Sequence, residues 1–168
     1  LIELLTVIGI IGLLAAIGVG LSGVASKRGR TSATKSQQQA VQTATSQGHP
    51  ELTPTHLTLA LVHPDEGYVA AVLDHVGAAR SELVADLQGL LKSLPRASGD
   101  QPAQPVMARD LATVLDEAAS LATARGDTFI SVDVLLLAIL ARVAGPLLAA
   151  LGPRGLTTAG VAAARGAR

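Results

Sequence analysis

The chain has 168 residues, 49% hydrophobic and 15% charged, with no cysteine or tryptophan and with Tyr68 and Phe129 as its aromatics. Without a thiolate there is no disulfide, thiol nucleophile, cysteine-ligated zinc or iron–sulfur cluster. Thirteen Lys+Arg balance thirteen Asp+Glu, so neither a basic field nor a stacking surface points to nucleic acid.

Leu4 to Ala25 is a run of 22 residues without a charge, and at about 1.5 Å per residue a helix of that length spans roughly 33 Å, the hydrocarbon thickness of a bilayer. It is longer than the usual buried core helix or the apolar stretch of a secretory signal, and it ends at Lys27, Arg28 and Arg30. Residues 1–25 are therefore predicted to form a single-pass transmembrane helix, followed by a basic juxtamembrane linker over 26–33. Gly12, Ala16 and Gly20 recur every four residues. They form either a stripe for close helix packing or a by-product of a Gly/Ala-rich chain. Glu3, beside the apolar span, reads as a carboxylate snorkelling to the interface. A start at Leu1 rather than Met reads as a fragment or processed product.

The run Leu1-Ile2-Glu3-Leu4-Leu5-Thr6-Val7-Ile8-Gly9-Ile10-Ile11-Gly12 resembles the N-terminal helix of type IV pilins and pseudopilins. The resemblance implies a bacterial inner-membrane location, a preceding basic leader, and a Glu3 that neutralises a neighbouring subunit's terminal amine during self-association. Gly18 to Gly23 stand where that family commonly has a proline and a longer stem.

From Thr34 a weakly amphipathic helix carrying Ala40, Val41 and Ala44 is predicted to end before Gly48-His49-Pro50. Thr53-Pro54 has the form of an N-cap with proline at the first helical position, opening a short apolar helix that stops at His63-Pro64. Val69–Val76 makes another helix closed by Gly77, and Arg80–Leu94 a longer one ended by Pro95. Residues 95–105 carry three prolines and a glycine and form a linker between a first half, 34–94, and a second, 106–165. In the second half Met107, Leu111, Val114, Leu115, Ala118, Leu121 and Ala122 trace one helical face, Gly126-Asp127 ends it, and Ser131 caps the next helix. No segment alternates as a strand.

An offset of 78 residues superposes Gly48 on Gly126, Thr53 on Ser131 and Leu57 on Leu135, while Val72–Gly77 echoes Pro146–Gly152 at a slightly shorter offset. The two copies read Gly48-His49-Pro50-Glu51-Leu52-Thr53-Pro54-Thr55-His56-Leu57-Thr58-Leu59-Ala60-Leu61 and Gly126-Asp127-Thr128-Phe129-Ile130-Ser131-Val132-Asp133-Val134-Leu135-Leu136-Leu137-Ala138-Ile139-Leu140. This pattern, over about residues 32–162, resembles the N-terminal (Clp repeat) domain of Clp ATPases. The resemblance implies an all-α bundle of about eight helices in two pseudo-symmetric repeats, here preceded by the transmembrane helix. It further implies a module that docks protein substrates or adaptors, with a Clp-type ATPase acting in trans.

No phosphate-cradling Gly-x-x-x-x-Gly-Lys-Ser/Thr loop, Gly-x-Ser-x-Gly elbow or His-Glu-x-x-His pair occurs, so no enzyme, cofactor or metal is expected. His49, His56 and His63 lie seven apart, but Pro50, Pro54 and Pro64 interrupt any common helix, so they read as capping or packing groups. In one branch of the resembled family a glutamate before the His-Leu-Leu of each half reads phosphorylated arginine. Those positions are Thr55 and Asp133, so one carboxylate is missing and the other is shorter; Asp133 also reads as a helix N-terminal acid favoured by the dipole. A second docking mode is an apolar groove between the halves lined by Leu52, Leu57, Phe129 and Leu135. Two functions follow: a membrane-tethered protein-binding module, or a pilin-like structural subunit with this bundle as its head. Positive-inside charge at Lys27–Lys35 puts the bundle in the cytoplasm for the first, and pilin biogenesis puts it outside for the second.

Overall fold

The computed structural model describes residues 24–64, 66–97 and 104–166. The predicted membrane helix over 1–25, with Glu3, Gly12, Ala16 and Gly20, lies outside the described residues save for its last two positions. Among the described residues no single helix is long and apolar enough to cross a membrane.

Eight α-helices are described: α1 (Val24–Ser46), α2 (Pro54–Val62), α3 (Tyr68–Val76), α4 (Arg80–Lys92), α5 (Arg109–Ala124), α6 (Val132–Arg142), α7 (Pro146–Leu151) and α8 (Thr158–Gly166). A 3-10 turn, Gly152–Arg154, follows α7. Two further segments form a parallel pair, β1 (Glu51–Leu52) and β2 (Val106–Met107), with Glu51 opposite Val106 and Leu52 opposite Met107. Two residues per strand are too few to alternate visibly, which is why no strand was expected; the pair forms because the chain beyond α4 returns alongside Gly48–Leu52.

The basic linker expected over 26–33 is instead part of α1, which runs unbroken from Val24. No proline interrupts it, and Gly29 costs a helix interior only about 1 kcal/mol, a loss offset by packing further along. Ser36, Ala40 and Ala44 recur every four residues, all buried, and this narrow small-residue face lets α1 lie close on α2. Helix α4 stops at Lys92, two residues short of the expected Leu94.

α2 and α6 form the centre. In α2 every residue except Thr55 is buried, and in α6 Val134, Leu135, Leu136, Ala138 and Ile139 are fully so. Their all-round apolar character is that of helices enclosed by others. The one buried hydroxyl of α2, Thr58, bonds back to the Pro54 carbonyl at 2.8 Å. One cluster joins both halves into a single core.

The duplication is more regular than the sequence reading held. Helices starting at Pro54, Tyr68 and Arg80 recur at Val132, Pro146 and Thr158, each 78 residues on, so no shorter offset is needed. The counterpart of Gly77 is Gly155, not Gly152: the first two have φ of 69° and 76°, whereas Gly152 is right-handed at −58°. The closing hydrogen bonds repeat too, Ala78 N–H to the Leu73 carbonyl and Leu156 N–H to that of Leu151.

Candidate functional site

Helix α2 begins on a reciprocal cap. Thr53 is extended (φ −104°, ψ 165°), Pro54 supplies the preset first turn, and His56 takes the place that Glu or Gln holds in a capping box. The Thr53 N–H donates to His56 Nδ1 at 3.1 Å, and the other ring nitrogen, Nε2, lies 2.8 Å from His49 Nδ1. The two rings meet edge to face at 5.0 Å between centroids, and both are buried. Burial, then the neighbouring His49, lowers the His56 pKa to about 4. Burial, then the Arg96 guanidinium, lowers that of His49. The histidines are thus structural, as capping and packing groups; His63 is exposed and apart from them.

This capped turn faces a hollow of about 340 Å³ whose walls include Thr55, Leu94, Val114, Arg142 and Leu147. A second hollow of about 380 Å³ lies over β1, between Glu51, Pro95 and Val106. Thr53 and Leu94 line both, so the two hollows share a wall and form a groove of two compartments. Val106 is 46% exposed, a large apolar side chain left open to solvent at the groove's edge. Arg142 is held at the rim by Glu117, whose Oε2 accepts from Nε at 2.8 Å and Nη2 at 2.6 Å. Asp110 provides an acid on the same wall.

The pseudo-equivalent turn in the second half carries an ion-paired acid. Asp133 pairs with Arg125 at 3.2 Å and Arg165 at 3.6 Å, and the Ser131 hydroxyl donates to it while accepting no cap hydrogen bond from the helix amides. Its carboxylate is engaged within the domain, whereas Thr55 opens on the groove.

None of Leu52, Leu57, Phe129 and Leu135, the residues expected to line an apolar groove, borders the two hollows described above. Leu52, Leu57 and Leu135 are 7%, 2% and 0% exposed, and they belong to the core because their helices meet there; Phe129 is half-buried. Leu94, Val114 and Leu147 border the first hollow, Val114 and Leu147 as core residues that are 1% and 6% exposed. Periodicity marked the first two as apolar-face residues, but the same spacing describes a residue under another helix and one beside a gap. Among the described residues no cluster of three or more His, Cys, Asp or Glu could hold a metal ion.

The fold is an all-α duplicated bundle with a groove beside the first turn of α2. The profile of the Clp repeat (R) N-terminal domain matches residues 30–152, and the chain is a member of that family. It is 36% identical over 109 residues to the chaperone protein ClpB of Corynebacterium glutamicum, an alignment covering 65% of this chain and 13% of ClpB. The chain thus spans a small part of the curated relatives it matches. Among solved structures it resembles the N-terminal domain of the ClpV1 ATPase from E. coli EAEC (TM-score 0.69, 21% identity, 93% of this chain and 90% of that one). It also resembles a ClpV N-domain solved in complex with a VipB peptide (TM-score 0.60, 20% identity, 74% of this chain and 77% of that one).

Proposed function

We propose that this domain is a non-enzymatic docking module that holds extended apolar segments of protein substrates or adaptors in the groove at the start of α2. One observation carries the reading: two adjoining hollows are bordered by apolar Leu94, Val114, Leu147 and Val106, while at the pseudo-equivalent turn Asp133 is paired with Arg125 and Arg165. A concave, partly apolar site with a few polar groups at its rim suits a peptide laid along it. The VipB-peptide complex of a ClpV N-domain supports peptide binding on this fold. A Clp-type ATPase would supply the force for unfolding a docked segment.

Ala144, exposed at the groove's rim, is the place to test it. Ala144→Arg fills the hollow without disturbing the core. The variant is expected to keep the wild-type thermal midpoint and lose at least about tenfold in affinity for an unfolded apolar peptide, read by fluorescence anisotropy. Undiminished binding overturns the reading.

We also propose that residues 1–25 tether the module to a membrane, a reading supported by their 22-residue uncharged run. The exposed Ser120 changed to Cys in this cysteine-free chain reports the side. Protection from an impermeant maleimide until lysis fits a cytoplasmic module, labelling in intact or outer-membrane-permeabilised cells fits the pilin-like subunit, and recovery in the soluble fraction removes the tether.

A further inference from the structure

We infer that the buried His49–His56 pair is an acid-sensitive latch, which holds β1 and the first turn of α2 while both rings are neutral and releases them when a proton reaches either one. The inference is independent of what the groove binds.

The proton positions follow from one backbone group. The Thr53 amide can only donate, so His56 Nδ1, 3.1 Å away, is an acceptor and carries no hydrogen. The His56 proton is therefore on Nε2, from which it is donated to His49 Nδ1 across 2.8 Å. The His49 proton then sits on its own Nε2, a buried atom with no hydrogen-bond partner. A further proton has two places to go. On His56 Nδ1 it displaces the Thr53 N–H and leaves the Thr53 hydroxyl, 2.9 Å away, to accept it, and on His49 Nδ1 it meets the His56 Nε2–H. Either site breaks a hydrogen bond, and the charge lands on rings that are 1% and 0% exposed.

The surroundings do not absorb that charge. Arg96, beyond α4, repels a cation on His49. Glu51 of β1 lines the neighbouring hollow but is exposed to water, as are Lys35 on α1, His63 at the end of α2 and Lys92 at the end of α4. Strand β2 carries no ionisable residue. At the duplicated positions 127 and 134 stand Asp127 and Val134, so the pair exists only in the half whose capped turn lines the groove. The latch thereby couples pH to the shape of the groove through Thr53, which lines both hollows.

The sign follows from linkage. Once opened, each ring has the ordinary value of 6.5, whereas closed His56 stays neutral to about 4. Opening is unaffected by pH above 6.5 and is favoured progressively as pH falls from there toward 4. Each proton taken up makes the opening constant rise about tenfold per pH unit.

Amide hydrogen exchange on the full chain, followed from about pH 7 to about pH 4, tests this. Protection factors over residues 51–58 are expected to fall by about tenfold or more per pH unit below about 6.5 while those of α5 and α6 hold. In the double variant His49→Gln, His56→Gln the glutamine at the third helical position keeps a capping acceptor without a titrating ring, and the local pH dependence is expected to vanish. If that variant does not fold, ring nitrogen and carbon shifts of the wild-type histidines decide, with His56 expected as the Nε2–H tautomer. A flat protection profile, a loss spread evenly over the bundle, or buried rings that titrate like free histidine in the closed state overturns the latch.

Discussion

Gly126 and Gly160 show how differently two glycines serve the same chain. Gly126 closes α5 with φ at 73°, and a Cβ there would meet open space. Gly126→Ala therefore isolates the left-handed backbone penalty, expected at about 1–2 kcal/mol and read as a lower urea midpoint at constant slope. Gly160 lies inside α8, where propensity alone would favour alanine by about 1 kcal/mol. A Cβ at that position would be driven into the Gly155 carbonyl, with Val76 close behind. Gly160→Ala is thus expected to destabilise more than Gly126→Ala, and a stabilised Gly160→Ala protein would show that the α3–α8 contact yields. Gly126 was legible in the sequence as a helix terminator followed by a polar turn. Gly160 carried no such signal, because its reason is a chain segment brought back from the turn before α8.

At the scale of elements, α1 illustrates a helix made by its neighbour. Its composition is polar and its apolar pattern weak, so the sequence suggested a linker over 26–33 and a modest helix after it. The structure carries the helix back to Val24, and Ser36, Ala40 and Ala44 form a face narrow enough for close contact with α2. Ala44→Leu forces extra volume into that contact and is expected to cost about 1–3 kcal/mol, measured by chemical denaturation; a neutral outcome would mean that α1 can lift from α2 freely. The 3-10 turn after α7 is tied by another device. Arg154 reaches Glu82 at 2.7 Å and also pairs with Asp86, clasping the second half's turn to α4 of the first. Neither acid was marked by spacing to meet an arginine so far along the chain.

Across the whole molecule, one core cluster runs through both halves, and α6 packs against α1, α2, α3, α5 and α8. A first-half fragment, 34–94, leaves α2 without the side chains of α6 and exposes most of its apolar surface. It is expected to show no cooperative thermal transition by circular dichroism, whereas 34–165 melts in one step; a folded fragment would show that the duplicated halves are independent domains. The groove belongs to the same scale, since its walls come from α2, α4, α5, α6 and α7. The amino-acid sequence by itself determined the helical class, the duplication and most helix ends, because periodicity, caps and prolines act within a few residues. Only the tertiary structure decided that Leu52, Leu57 and Leu135 are core while Leu94 and Val106 border a groove, that Asp133 is matched by Arg125 and Arg165, and that two histidines seven residues apart lie within hydrogen-bond distance. Burial and pairing are properties of what lies across a contact, and hydrophobic spacing along one helix is the same whichever neighbour arrives.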